Sequence, residues 1–109
     1  MDPVVEPAEG SDLPERLAAA GPHEREQLLR ETVLDRAADI LSRPSMDADS
    51  SFLENGLTSL AALELAKSVM NLTGLEVPLV SVVENPTSRL LAKFLAGEYE
   101  AGGGPAEGA

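Results

Sequence analysis

Apolar residues recur every three or four positions along most of the chain, a period that predicts helices. The longest such segment begins near Pro22 and runs to about Ser42. Its apolar side chains fall on one stripe, which consists of Leu29, Val33, Ala37 and Ile40, with Leu34, Ala38 and Leu41 beside them. Charged residues lie mostly off this stripe. The pattern therefore predicts an amphipathic helix that is roughly 30 Å long.

A shorter helix is predicted over residues 11–21, before the long one. Ser11 or Asp12 can cap its start, because both side chains accept hydrogen bonds from free backbone N–H groups. Pro14 is tolerated in a first turn, and Gly21 can end the helix.

The C-terminal third of the chain predicts two more helical segments. Residues 77–83 have the composition of a strand, but no other segment could pair with them. Because Pro78 also suits a first helical turn, we predict a short helical turn there. After a turn at residues 85–87, a last helix is predicted over residues 88–96, with Gly97 as its end. The residues expected to face inward are Leu90, Leu91, Phe94 and Leu95.

A long loop is predicted over residues 43–58, because Pro44, a cluster of Asp and Ser residues, and Gly56 interrupt any period. A loop of this length in a small domain is usually functional, or is anchored by its own apolar side chains. The expected anchors are Phe52, Leu53 and Leu57.

The helix after this loop is predicted from Ser59 to about Leu72, with Thr58 as its N-cap and Gly74 near its end. One apolar stripe suits the core, and it consists of Ala62, Leu65, Ala66, Val69 and Leu72. A second stripe consists of Leu60, Leu63 and Met70. The second stripe is either buried against another element or forms a surface for partners, and the sequence leaves both interpretations open.

Composition narrows the class of protein. A length of 109 residues suits one domain, and two Phe, one Tyr and no Trp leave the core to Leu, Val and Ala. The lack of cysteine excludes disulfides and thiolate metal sites, and it fits a reducing cytoplasm. A formal net charge of -11 opposes binding to nucleic acid or to anionic membranes. The same charge favours partners that present a basic patch.

The chain ends are expected to be linkers, because they are rich in Gly, Pro and acidic residues. We predict a disordered N-terminal linker over residues 1–10 and a flexible C-terminal linker over residues 98–109. The domain would then occupy residues 11–97, with its core in residues 22–97.

No set of residues predicts catalysis or a metal site. His23 is the single histidine, and its position beside Pro22 suggests an exposed residue at a helix start. The segment from Asp47 begins like a calcium loop, but Phe52 occupies the sixth position, where glycine is required, and Thr58 occupies the twelfth. We therefore predict no catalytic residue and no metal ligand.

Ser59 is the residue whose position in the pattern indicates a specific chemical role. It is the first residue of a predicted helix, where free N–H groups and the helix dipole favour an anion. A hydroxyl in that position is well suited to carry a phosphodiester. We therefore interpret Ser59 as an attachment point.

Three blocks of sequence, at residues 53–65, 72–78 and 84–87, resemble an acyl carrier protein domain of a modular type I polyketide synthase. Their order and spacing match that family across roughly residues 22–97, and residues 13–17 are similar to the lead-in that such domains often carry. The resemblance implies an all-α fold. This fold is a small four-helix bundle with a long loop between the first and second bundle helices, here preceded by a short extra N-terminal helix.

The resemblance also implies a function without catalysis. Ser59 would accept a 4'-phosphopantetheine arm from coenzyme A through a phosphopantetheinyl transferase, and the arm would hold polyketide intermediates as thioesters. The implied partners are the ketosynthase, the acyltransferase and other synthase domains. The isolated domain is expected to be monomeric. The residues implied to contact them are Thr58, Leu60, Leu63, Glu64 and Met70.

Two departures from the family pattern stand close to Ser59. Thr58 replaces the usual Asp, which keeps a capping side chain but removes a negative charge, and Asn55 stands where Leu is common. Two rival functions remain open. A peptidyl carrier domain of a nonribosomal peptide synthetase usually has a Gly-Gly-x-Ser start, which this chain lacks, and a helical docking or adaptor module would carry no cofactor.

Overall fold

The computed structural model describes residues 9–102, and this part of the chain contains five α-helices and no strand. They are α1 (Glu9–Ala19), α2 (Pro22–Leu41), α3 (Ser59–Thr73), α4 (Leu79–Glu84) and α5 (Ser88–Gly102). The prediction of an all-α bundle with an extra N-terminal helix is confirmed. Within the same residues, no helix is long and apolar enough to cross a membrane.

The arrangement of the helices follows from a central pair. Helices α2 and α5 pack along each other, and α3 packs on α2. Helix α1 packs mainly on α3, while the short α4 bridges α3 and α5. Arg25, in the first turn of α2, contacts Glu100 near the end of α5, so these two helices are antiparallel.

The core is built from aliphatic side chains and one aromatic ring. Leu29, Val33 and Ala37 of α2 are fully buried, as the apolar stripe of that helix predicts, and Ile40 packs partly buried at its margin. The other fully buried large residues are Leu17, Phe52, Leu65, Val69, Val82, Leu91 and Leu95. Phe52 is notable among them because it comes from the long loop and not from a helix.

Two helices end in the left-handed conformation that releases the chain from a helix. Ser42 follows α2 with φ 57° and ψ 44°, and its N–H donates to carbonyls in the last turn. Gly74 follows α3 with φ 78°, and its N–H donates to the Met70 carbonyl at 2.8 Å. Both ends lie within one residue of the predicted positions.

The predicted end of the last helix is wrong. Helix α5 continues through Gly97 to Gly102, so residues 98–102, which were predicted to begin a flexible linker, are helical. A Gly inside a helix is less favourable than Ala by only about 1 kcal/mol. Contacts of Tyr99 and Glu100 with Arg25 stabilise the extension beyond Gly97. Leu90 is also not an inward-facing residue, because 45% of its surface is exposed, whereas Leu91 and Leu95 are buried as predicted.

The start of the chain also differs from its prediction. Helix α1 begins at Glu9, so Ser11 and Asp12 lie inside the helix and neither is its N-cap. Gly21 has an extended conformation, with φ -74° and ψ 173°, and it is the N-cap residue of α2. The rest of the two predicted linkers, residues 1–8 and 103–109, lies outside the residues that the structure describes.

Candidate functional site

Ser59 is exposed and is the first residue of α3. Thr58, the N-cap, has φ -107° and ψ 174°, and its Oγ1 accepts a hydrogen bond from the Ala61 N–H at 3.1 Å. The Thr58 carbonyl accepts from the Ala62 N–H at 2.8 Å, which closes the first turn. The N–H groups of Ser59 and Leu60 lie within this first turn and have no acceptor within the helix, so they remain able to bind an anion.

The loop before Ser59 is held in place by its own hydrogen bonds. Gly56 has φ 98°, a left-handed conformation that favours glycine, and it redirects the chain towards α3. The Leu57 N–H donates to the Phe52 carbonyl at 3.0 Å, and the Asn55 side chain donates to the Ser51 carbonyl at 2.8 Å. Asn55, one of the two departures from the family pattern, therefore stabilises the turn that leads to the site.

The predicted anchors of the loop are partly correct. Phe52 is fully buried and Leu57 packs partly buried against the core, but Leu53 is 58% exposed and anchors nothing. Met46 is a further buried anchor, which the sequence pattern does not predict. The chain around Met46 has no period, so only the folded structure reveals which way this side chain points.

The loop is also fastened to the start of α5. The Phe52 N–H donates to the Pro86 carbonyl at 2.8 Å, and the Arg89 N–H donates to the Ala48 carbonyl at 2.9 Å. The Arg89 guanidinium donates to both carboxylate oxygens of Asp49, at 2.7 and 3.1 Å. This hydrogen bonding, together with the charge of Arg89, lowers the pKa of Asp49 below its ordinary value of 3.8.

The surface beside Ser59 is both apolar and charged. Leu60 and Leu63 are 66% and 40% exposed, so this part of the second stripe of α3 is a surface. Thr58 and Glu64 are also exposed. Met70 differs from them, because it is half-buried and packs against the core. Four of the five residues that the family resemblance implies for partner contact therefore lie on the open surface.

Helix α4 adds exposed apolar residues that are not among the predicted site residues. Leu79, Val80 and Val83 are 44%, 56% and 52% exposed, while Ser81 and Val82 are buried. The signal was available in the sequence. A six-residue helix can bury only one side, so a run of apolar residues in such a helix must expose some of them.

The residues that could suggest another chemistry do not gather at a site. His23 is exposed in the first turn of α2. Among the side chains that the structure describes, those of residues 13–101, no group of three or more His, Asp or Glu has the arrangement of a metal site. One surface depression of about 400 Å³ lies at the C-terminal end of α2, and none of the predicted site residues lines it.

The exposed Ser59 and the bundle beneath it agree with a known family. The family described as "Phosphopantetheine attachment site" matches residues 31–95. The chain belongs to this family. Members of the phosphopantetheine-attachment family are carrier domains, and 4'-phosphopantetheine is the covalent cofactor that the family implies.

Curated polyketide synthase proteins are among the relatives of this carrier domain. Spectinabilin polyketide synthase system protein NorB of Streptomyces orinoci is 36% identical over 110 aligned residues, which cover 97% of the chain and 5% of NorB. Pikromycin polyketide synthase component PikAII of Streptomyces venezuelae is 35% identical over 94 residues, which cover 84% of the chain and 2% of PikAII. The chain thus spans only a few per cent of the length of these relatives.

A solved structure gives the same result for the fold. The "A1-type ACP domain from module 5 of MLSA1" superposes with a TM-score of 0.72 at 31% identity, and the match covers 83% of this chain and 93% of that one. The prediction of an acyl-carrier-like bundle is therefore confirmed. The resemblance to carrier domains of type I polyketide synthases is confirmed as well.

Proposed function

We propose that Ser59 carries the 4'-phosphopantetheine arm and that the domain tethers polyketide intermediates as thioesters for a polyketide synthase. The observation that carries this proposal is the exposed Ser59 hydroxyl at the start of α3, inside the segment that the attachment family matches. The arm supplies a terminal thiol to which an acyl group can be esterified. The domain itself supplies the position of that arm and no catalytic group.

The residues around Ser59 fit a phosphodiester at its hydroxyl. The hydroxyl belongs to an exposed residue, so no side chain has to move aside for the group. The free N–H groups of Ser59 and Leu60, together with the positive end of the α3 dipole, favour the charge of a phosphate there. Thr58 is uncharged, so it adds no negative charge beside the phosphate. Its Oγ1 accepts a hydrogen bond from the Ala61 N–H, which leaves the N–H groups of Ser59 and Leu60 free.

The proposed partners are a phosphopantetheinyl transferase, a ketosynthase, an acyltransferase and other synthase domains. Thr58, Leu60, Leu63 and Glu64 are the exposed residues proposed to contact them, and Met70 would support this surface from its half-buried position. Apolar side chains beside an acid suit a partner that presents an apolar patch with a basic rim. We also propose that the domain is monomeric and that it lies in the cytoplasm. The lack of cysteine agrees with this reducing compartment.

The two rival functions are less well supported. A peptidyl carrier domain would share the fold, but the relatives described above are polyketide synthase proteins. The start of α3 also lacks the Gly-Gly-x-Ser pattern, because Gly56-Leu57-Thr58 precedes Ser59. An adaptor without a cofactor would give no reason for the match to an attachment family.

The experiment that tests the proposal is intact-mass analysis after incubation with coenzyme A and a broad-specificity transferase. The wild type is expected to gain the mass of one phosphopantetheine, and Ser59→Ala is expected to gain none. Ser45→Ala removes another exposed hydroxyl, from the preceding loop, and should be modified like the wild type. No gain in the wild type would favour the adaptor, and a gain in Ser59→Ala would place the attachment elsewhere.

A further inference from the structure

Arg25 lies in the first turn of α2, and its side chain is only 11% exposed. Two of its N–H groups reach the end of α1. Nε donates to the Leu17 carbonyl at 2.9 Å, and Nη2 donates to the Ala20 carbonyl at 2.7 Å. These carbonyls lie at the C-terminal end of α1, where the regular helix hydrogen bonds run out. The Leu17 carbonyl also accepts from the Ala20 N–H at 3.3 Å. Arg25 therefore caps α1 with a charged side chain.

The same guanidinium also holds the end of α5. Nη1 forms an ion pair with Glu100, and the guanidinium carbon lies 4.3 Å from the centre of the Tyr99 ring. Both partners belong to the part of α5 that continues beyond Gly97. A planar guanidinium suits this arrangement, because its edge donates hydrogen bonds while its face stacks on an aromatic ring.

Within residues 9–102, no Cα atom of α1 lies within 8 Å of a Cα atom of α5. Helix α1 instead packs on α3, and it buries Leu13 and Leu17 in the common core. The side chain of Arg25 therefore bridges the C-terminal end of α1 and the last turns of α5. All of its partners lie outside residues 31–95, the segment that the family match covers.

We propose that Arg25 couples the local unfolding of α1 to that of the last turns of α5. We call Arg25 and its partners the clasp, and these partners are Leu17, Ala20, Tyr99 and Glu100. The contacts with Tyr99 and Glu100 shield the guanidinium from water and fix its plane. Loss of these contacts frees the side chain, and a mobile, hydrated guanidinium holds the Leu17 and Ala20 carbonyls less firmly. A change at the end of α5 is thereby transmitted to the end of α1 through the side chain of Arg25.

Hydrogen–deuterium exchange of the whole chain tests this coupling. Glu100→Gln removes the ion pair and leaves every residue of α1 unchanged. It is expected to raise amide exchange about tenfold both in residues 98–102 and in residues 13–20, because the open state of the clasp becomes more populated. Glu98→Gln is the matched control, since it makes the same change two residues away on an exposed position outside the clasp, and it should leave α1 as protected as in the wild type.

A second variant separates the clasp from the ion pair alone. Tyr99→Leu keeps Glu100 but removes the aromatic face under the guanidinium, and it should also raise exchange in residues 13–20. Faster exchange in residues 98–102 with unchanged exchange in residues 13–20, in both variants, would overturn the proposal and make these contacts local to α5. The readout needs no prosthetic group, so it is independent of the function proposed for Ser59.

Discussion

Thr58 determines how the backbone presents Ser59. Its extended backbone turns the chain into α3, and its side chain engages the Ala61 N–H, so the next residue begins the helix at the surface. The usual residue of the family at this position, Asp, would cap in the same way and add a negative charge. Thr58 therefore keeps the geometry of the site and changes its electrostatics.

Replacement of Thr58 by Ala should lower the free energy of unfolding by about 1 kcal/mol, because the Ala61 N–H loses its acceptor. Urea denaturation monitored by circular dichroism measures this loss. Thr58→Ser keeps the hydroxyl and should cost much less. Equal stability of the Ala variant and the wild type would mean that the cap contributes nothing to folding.

Asp49 gives a prediction about pH. Its pKa is lowered by the hydrogen bonds and charge of Arg89, so the ion pair stabilises the fold above the ordinary pKa of 3.8. That contribution disappears as the pH falls through the lower pKa of the folded state. An NMR titration of the Asp49 carboxyl should show a midpoint below 3.8 in the wild type, and Arg89→Gln should move it up towards that value. A midpoint that is the same in both proteins would contradict the pairing.

At the scale of elements, α3 has one face in the core and another at the surface. Leu65 is 1% exposed, while Leu60, on the other face, is 66% exposed. Leu65→Ala should therefore destabilise the protein by about 2–5 kcal/mol, since it removes buried methyl groups and leaves a cavity. Leu60→Ala makes the same chemical change, and urea melts should show a loss of less than about 0.5 kcal/mol. Similar losses in the two variants would show that the faces of α3 are assigned wrongly.

Gly97 lies inside α5, where no positive φ requires glycine and a Cβ would meet no atom within 4 Å. Gly97→Ala should raise the free energy of unfolding by about 0.5–1 kcal/mol, because Ala loses less backbone entropy in a helix. Thermal or urea denaturation measures this gain. A destabilised variant would indicate that α5 ends near residue 97, as the sequence alone predicted.

The bounds of α2 and α3 could be predicted because local signals determine them. A periodic apolar stripe, a Thr N-cap and a terminal Gly act within a few residues of each helix end. The end of α5 could not be predicted in this way, since Gly97 is a local stop signal that distant contacts overcome. Arg25 lies more than 70 residues before Tyr99 and Glu100 in the sequence. No local sequence pattern therefore indicates that these side chains are in contact.

The candidate site follows the same division. The place of Ser59 at a helix start was predictable from Gly56, Leu57 and Thr58, which precede it directly. The half-buried position of Met70 was not, because a stripe on a helix does not reveal what packs over it. The exposure of Leu53 depends likewise on how the loop lies against α5.

At the scale of the whole molecule, the charge of -11 should govern encounters with partners. Glu64 is exposed beside the apolar side chains near Ser59, so Glu64→Lys should slow productive association with a basic partner at low salt. The effect should shrink as salt screens the charges. Modification kinetics at several ionic strengths measure it.

The control for this prediction is Glu76→Lys, which changes the net charge equally at an exposed position after the end of α3. Equal rates for the two variants at every salt concentration would mean that only the net charge matters. In that case Glu64 would be an ordinary solvated residue with no specific role at the surface.

The burial of Phe52 has a consequence for anyone who exchanges segments between carrier domains. The loop that leads to Ser59 supplies a fully enclosed aromatic ring, while its neighbour Leu53 stays exposed to solvent. A graft of residues 43–58 intended to alter recognition would therefore also replace part of the interior. Chimeras that retain a ring at position 52 and vary position 53 should separate the two effects.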